Sequence, residues 1–329
     1  MNTIQRAALT LIQEDARFLY AITDIYQYAT NINSNYICMS TPYIGLFADG
    51  SEQWCRKVGL NAPAFTPAEK AYYVQLRQAH KLFGLNYDDF VALHNKKFLE
   101  SDEYFYSIRR LREKILGYYN IGTDLCENEY CGNTILCAMY SPINTLGNDK
   151  AGPWVRDMSC VAGKLASYFG CLDFPVYKYN DNLDVRYEDY HFYKYSPLRK
   201  KDNLGILLFS ILCSINYVIE FIDNYFIEEI PQKLKYAYIQ YYYLCDFIKE
   251  LNIKNNINLN LNTQLYDRNF RNCLAHYGLG QYMKEADIII DDPLKGLTNK
   301  AFKMNYFDTK KILYEILKKL VIQIKSEIF

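Results

Sequence analysis

The chain has 329 residues, half of them hydrophobic, with 37 Lys and Arg against 37 Asp and Glu. That length provides core for two domains of ordinary size, and a charged fraction of only 22% excludes an intrinsically disordered chain. A formal net charge of zero excludes a protein that coats nucleic acid through bulk charge, but not one with a local basic site.

In chain order, residues 3–30 carry helix-compatible spacing. Glu14 and Asp15 interrupt the first apolar run, so no export signal is read there and a cytoplasmic location is expected. Thr66-Pro67-Ala68-Glu69 opens a helix through about Phe83, with Thr66 as cap, Pro67 at the first position and Glu69 completing a capping box. Two more helices are predicted, from Asn86 or Tyr87 to Glu100 and from Asp102 to Tyr119. The basic run Arg109-Arg110-x-Arg112 reads as a solvated helix face. From 131 to 198 Gly, Pro, Asn and Asp recur, and short aromatic runs such as VYKY and VRYEDYHFYKY suit strands or extended loops. The cluster Cys126-x4-Cys131-x5-Cys137 could bind a metal, but it lacks a CxxC pair and a nearby His, so it reads as reduced thiols and no metal is expected.

After residue 198 the pattern becomes plainly helical. Asp202 or Asn203 caps a helix to about Tyr225; its stretch from Leu204 to Ile219 is too short for a membrane span and reads as a core helix. Pro231 starts a second helix, ending near Leu251. A third runs from about Thr263 to His276, with Gly278 placed to stop it. Asp291-Asp292-Pro293 and Gly296 read as a loop, and a last helix runs from Asp308 to Ile328. The chain is therefore expected to be mainly α, with residues 1–198 a sensing or recognition domain and residues 199–329 a four-helix bundle. The second segment carries 18 Lys and Arg against 15 Asp and Glu, a net of +3, leaving −3 for the first.

The third of these C-terminal helices concentrates chemistry in Arg268-Asn269-Phe270-Arg271-Asn272-Cys273-Leu274-Ala275-His276-Tyr277-Gly278. Arg268, Asn272 and His276 follow each other at intervals of four and share a face, with Arg271 about 100° away. A guanidinium, an amide and an imidazole at one helix end can hold a phosphate and move its protons. A second Arg-x4-His, Arg186 to His191, lacks the polar residue after Arg and sits in an extended run, so it reads as structural. The 33 tyrosines, clustered at Tyr236, Tyr238, Tyr241, Tyr242 and Tyr243, cover both faces of a helix and read as composition rather than as a base-stacking surface.

Arg271, Asn272, Ala275, His276 and Gly278 resemble the RNxxAHxG motif of the HEPN family (higher eukaryotes and prokaryotes nucleotide-binding domain), over about residues 199–329. The resemblance implies a metal-independent endoribonuclease that needs no cofactor, with Arg271, Asn272 and His276 catalytic and RNA as substrate. It also implies a homodimer pairing two motifs, and an anti-phage or toxin role restrained by a regulatory protein or antitoxin. Tyr277 directly follows His276, where the antitoxin-modified branch has Tyr two places on, which argues against that modification. Arg268 is a candidate substrate contact, and Glu220, in an apolar stretch, a candidate acidic partner; Asp223 and Asp246 are weaker ones. Two other readings compete: a non-catalytic HEPN-like module binding nucleotide or protein, and a helical scaffold in which Arg271 and His276 only cap and pair.

Overall fold

The computed structural model describes all residues except 33, 109, 110, 112–114, 116–119, 141–150, 171, 172, 174, 175, 192–197 and 201. It is mainly helical, with one small sheet. Among the described residues eleven helices occur in the order α1 (Thr3–Tyr28), α2 (Ser34–Val58), α3 (Pro67–Ala79), α4 (Tyr87–Ile108), α5 (Thr134–Tyr140), α6 (Ala151–Tyr168), α7 (Asn203–Tyr225), α8 (Pro231–Asn255), α9 (Arg268–His276), α10 (Pro293–Phe302) and α11 (Tyr306–Ile328). Three strands, β1 (Asn120–Cys126), β2 (Glu129–Asn133) and β3 (Val185–His191), form an antiparallel sheet in the order β2-β1-β3. The β1–β2 turn places Glu127 and Asn128 at φ 50° and 69°, the left-handed pair that a two-residue hairpin needs.

Several starts follow local chemistry. Thr66 accepts from Glu69 N at 3.2 Å while Glu69 accepts from Thr66 N at 2.7 Å, the expected capping box. Asp202 caps α7 by accepting from Gly205 N at 2.8 Å, and Pro231 opens α8. Other expectations need correction. Helix α4 runs unbroken through the buried Ser101, where a break between two helices was expected, and most of the second expected helix beyond Ile108 lies outside the described residues. The basic run at 109–112 lies outside the described residues. Four unexpected helices appear: α2, which carries Pro42 inside it, α5 and α6 within the looser stretch, and α10, a fifth helix after residue 198 where four were expected. Asp292 and Pro293 do not close a loop; they start α10, Asp292 accepting from Lys295 N at 3.0 Å and Pro293 occupying its first position. Helix α11 starts slightly earlier than expected, at Tyr306, with Asn305 as its cap.

One hydrophobic core contains side chains from both sides of residue 198. Phe18 of α1 packs 5.2 Å from Tyr236 of α8, and Tyr43 of α2 stacks on that same ring at 3.6 Å. Helix α7 is long and apolar enough to cross a membrane by composition, but 94% of its apolar window is buried inside the protein. Cys126, Cys131 and Cys137 are all buried, and burial pushes the Cys131 and Cys137 thiols far up. Among the described residues no group of three His, Cys, Asp or Glu is arranged to hold a metal ion.

Candidate functional site

Helix α9 is shorter than its sequence pattern suggests. Asp267 takes the Phe270 N–H at 2.7 Å and so sets the start at Arg268. The preceding backbone is pinned by tyrosines of α8: Tyr238 donates to Leu265 O at 2.7 Å and Tyr241 to Asn262 O at 2.9 Å. At the other end Tyr277, not Gly278, turns left-handed, with φ 52°. An L-residue there costs about 1–2 kcal/mol. The fully buried Tyr277 ring is held in place, its hydroxyl bonded to Asp15 of α1, which also pairs with Lys235 and accepts from Gln232 at 2.9 Å. The residue next to His276 is thus clamped by the first helix of the chain.

Two close approaches bring further groups to this end of α9. A Cβ on Gly50 of α2 would stand 2.5 Å from Ala275 O, so only glycine lets α2 meet α9 there. Likewise a Cβ on Gly45 would stand 2.4 Å from Arg77 N, so α2 also meets α3 at backbone contact. Helix α2 therefore holds α3 and α9 on its two sides. Asp49, between those glycines, pairs with Arg77 Nε at 2.9 Å and accepts from Gln53 at 2.7 Å. Arg77, His80, Lys81, Arg271, His276 and Asp49 all interact electrostatically in this one place.

The Arg271 guanidinium carbon sits 4.9 Å from the Tyr242 ring centre and 5.5 Å from that of Tyr243, both on α8. Tyr242 in turn stacks on Tyr266, whose hydroxyl donates to Asp246 at 3.0 Å. His276 is half-buried. Burial pushes its imidazole pKa down to about 4; Arg271, Arg77 and Lys81 push the same way, against Asp49. His80 is held down to about 3, first by burial, then by Lys81, Arg77 and His276, while its bond to the Arg77 carbonyl acts in the opposite direction. Both rings are neutral at pH 7.

Four buried side-chain nitrogens here make no hydrogen bond: Arg77 Nε, His80 Nε2, Arg271 Nε and His276 Nδ1. Arg77 Nε counts among them because its N–H is not aimed at the nearby Asp49 carboxylate. Buried polar atoms left unmade are costly, so such a concentration marks a place that gains by taking up a polar ligand.

The structure brings Arg271 and His276 together, with Asn272 half-buried one turn before His276. Arg268 is exposed at the first turn of α9. Glu220 is ion-paired with Lys318 at 3.2 Å, and among the described residues no recorded contact joins it to Arg271 or His276. Asp223 is taken by Lys310 at 2.7 Å and by the Tyr314 hydroxyl at 3.1 Å. Arg186 lies on β3 beside Asp184 and Glu188. Sequence reasoning missed Asp49, Arg77, His80 and Lys81, and it set aside Tyr242 and Tyr243 as composition. The scarcity of His, four in the chain, is the one signal that singles out His80. No family model, curated protein or solved structure matches the chain. The reading of the site therefore rests on its own residues.

Proposed function

We propose that the protein is a metal-independent endoribonuclease whose residues 199–329 form a HEPN-like four-helix bundle. The observation that carries the reading is the gathering of Arg271, Arg77, Lys81 and two neutral imidazoles at one end of α9, where Arg271 Nε and His276 Nδ1 are buried without a hydrogen-bond partner. Three fixed cations and two imidazoles against one carboxylate suit a phosphodiester.

In this reading neutral His276 takes the proton of a ribose 2′-OH as its oxygen attacks the adjacent phosphorus. The bond from phosphorus to the 5′-oxygen breaks, and that oxygen receives a proton from an acid. The products are a 2′,3′-cyclic phosphate and a 5′-hydroxyl. Arg271, Arg77 and Lys81 stabilise the extra negative charge of the transition state, and Asn272 orients phosphate or imidazole. A homodimer in the cytoplasm, acting in phage defence or as a toxin under a regulatory protein or antitoxin, completes the proposal. Arg268, exposed on the same helix, extends the basic surface toward the RNA strand.

The test is cleavage of total RNA in EDTA by the wild type, His276→Ala and Arg271→Ala. Cleavage by the wild type alone, leaving cyclic phosphate ends, supports the reading. Equal background in all three refutes it, and activity abolished by EDTA would point to a metal-dependent enzyme instead.

A further inference from the structure

An open cleft of about 530 Å³ lies between α1, the α7–α8 turn and the starts of α10 and α11. Leu11, Pro231 and Leu294 line it and also border the small space around Asp15, Lys235 and Tyr277, so the cleft backs onto the clamp. Five carboxylates line the cleft, those of Glu14, Glu228, Glu229, Asp291 and Asp292, against a single cation, Arg17. The charges are poorly balanced. Arg17 stands 3.9 Å from Glu228 and lies over the Tyr177 ring. Lys310 takes Glu229 at 2.7 Å but is shared with Asp223. Glu14 accepts from the Tyr177 hydroxyl and Asp292 from Lys295 N, and neither donor is a cation. Asp291 is exposed. Among the described residues no cation pairs with Glu14, Asp291 or Asp292.

A second observation concerns the apolar groups. The remaining walls of the cleft are largely apolar, and two large side chains at its mouth are left in water. Phe307, whose ring packs at right angles to Tyr306 with centres 5.2 Å apart, is 67% exposed. Ile227, next to Glu228, is 64% exposed. Apolar side chains grouped on the surface beside a cleft mark a face that a partner covers.

Charge and apolar surface together select the occupant. The carboxylates repel RNA phosphates. A free polyamine answers the charge but leaves Phe307 and Ile227 in water. A peptide carrying arginine and bulky apolar side chains answers both. Guanidinium suits these walls further because it stacks on aromatic rings, as Arg17 does at 3.9 Å from the Tyr177 ring centre. We propose that the cleft docks a short segment of a partner protein in which arginine alternates with bulky apolar residues. The proposal does not rest on reading the α9 site as a ribonuclease.

The test is calorimetric titration of the full chain with a blocked pentapeptide of alternating arginine and leucine. Three controls accompany it: the same peptide with citrulline for arginine, the same with alanine for leucine, and spermidine. The arginine–leucine peptide is expected to bind roughly tenfold tighter than each control. Asp291→Asn combined with Glu228→Gln weakens its binding by roughly tenfold. Phe307→Ala weakens the leucine peptide and leaves the alanine one unchanged. No binding of the arginine–leucine peptide at millimolar concentration, or equal binding of the citrulline peptide, overturns the proposal. Spermidine binding as tightly as the peptide makes this a small-cation site and overturns it as well, and so does displacement of the peptide by a short single-stranded RNA. An affinity unchanged in the double variant puts the peptide elsewhere and has the same consequence. A dimer that becomes monomeric in the double variant assigns the cleft to a second copy of the chain instead. The wild-type titrations decide the matter even if a variant does not fold.

Discussion

The clamp on Tyr277 makes a quantitative prediction for Asp15→Ala. Asp15 is 2% exposed and Lys235 5%, and the two form an ion pair to which Tyr277 and Gln232 add hydrogen bonds. Removing one member of a buried pair leaves the other charge without compensation, at a cost of about 3–5 kcal/mol. A second route gives a consistent ceiling. Burial already lowers the Lys235 pKa, and Asp15 is what opposes that shift. Without Asp15 the amine sheds its proton instead of staying charged. Discharging a lysine at pH 7, against an unfolded pKa near 10.4, costs at most about 4.6 kcal/mol, at 1.36 kcal/mol per unit. With an unfolding entropy of about 2.1 cal/mol/K per residue, a loss of about 4 kcal/mol lowers the melting temperature by roughly 6 °C. The sign with pH is fixed. In the variant the unfolded state binds the proton and the folded state does not, so stability rises with pH and the deficit against wild type shrinks toward pH 10. Urea unfolding of both proteins at pH 7, 8.5 and 10 measures it. A cost below about 1 kcal/mol, or a deficit constant over that range, would refute the account. Asp15→Leu combined with Lys235→Met buries no charge and is expected to recover most of the loss.

Further expectations follow from the same geometry. If His276 acts as the base, kcat/KM falls on the acid side only near pH 4, and Lys81→Met, by removing one of the cations that depress this imidazole, moves that limb upward; a pH–rate profile checks both. His80 and His94 are held down to about 3 and about 4, chiefly by burial, while unfolded imidazoles titrate near 6.5. The unfolded state therefore binds more protons, and stability decreases as pH falls from about 6.5 toward 4, by at most about 1.4 kcal/mol per unit for each ring; urea midpoints across that range test it. Gly50→Ala places a Cβ 2.5 Å from Ala275 O and 3.0 Å from Tyr277, forcing α2 and α9 apart at about 1–3 kcal/mol. Its urea midpoint is expected to drop and its RNA cleavage to fall further than stability alone explains, because Arg77 and His276 separate.

What the sequence made legible was local. Thr66 with Glu69, Asp202 and Pro231 each announce a helix start within four residues, and each start is present. The helix carrying Arg271 and His276 was visible too, but its start was expected at Thr263 rather than after the Asp267 cap, and its left-handed end falls on Tyr277 rather than Gly278. Where the same residue types carry two local meanings, the sequence misled: Asp292-Pro293 opens a helix as readily as it makes a turn, and the competition is settled by the core that α10 joins. Pro42 and the glycines hid α2, whose persistence comes from burial rather than propensity. Those glycines are the positions at which α2 touches two other helices. The feature that weakened the helix signal is the one that assembles the site.

The same logic explains why neutrality was a poor guide. Arg77 and Lys81 stand nearly two hundred residues before Arg271, in the segment whose net charge is −3. No periodicity links such positions, since only the packing of α3 and α9 onto α2 brings them together. Once assembled, three fixed cations face one carboxylate, and the two imidazoles beside them stay uncharged chiefly because they are buried and then because of that field. A phosphate entering this field would offset the cations and favour the protonated form of His276, so binding and proton transfer are coupled through the same charges. Charge summed over 329 residues cannot register a balance struck among six side chains. What matters for a phosphodiester is the local potential within a Debye length, about 8–10 Å in physiological salt, and there the protein is basic.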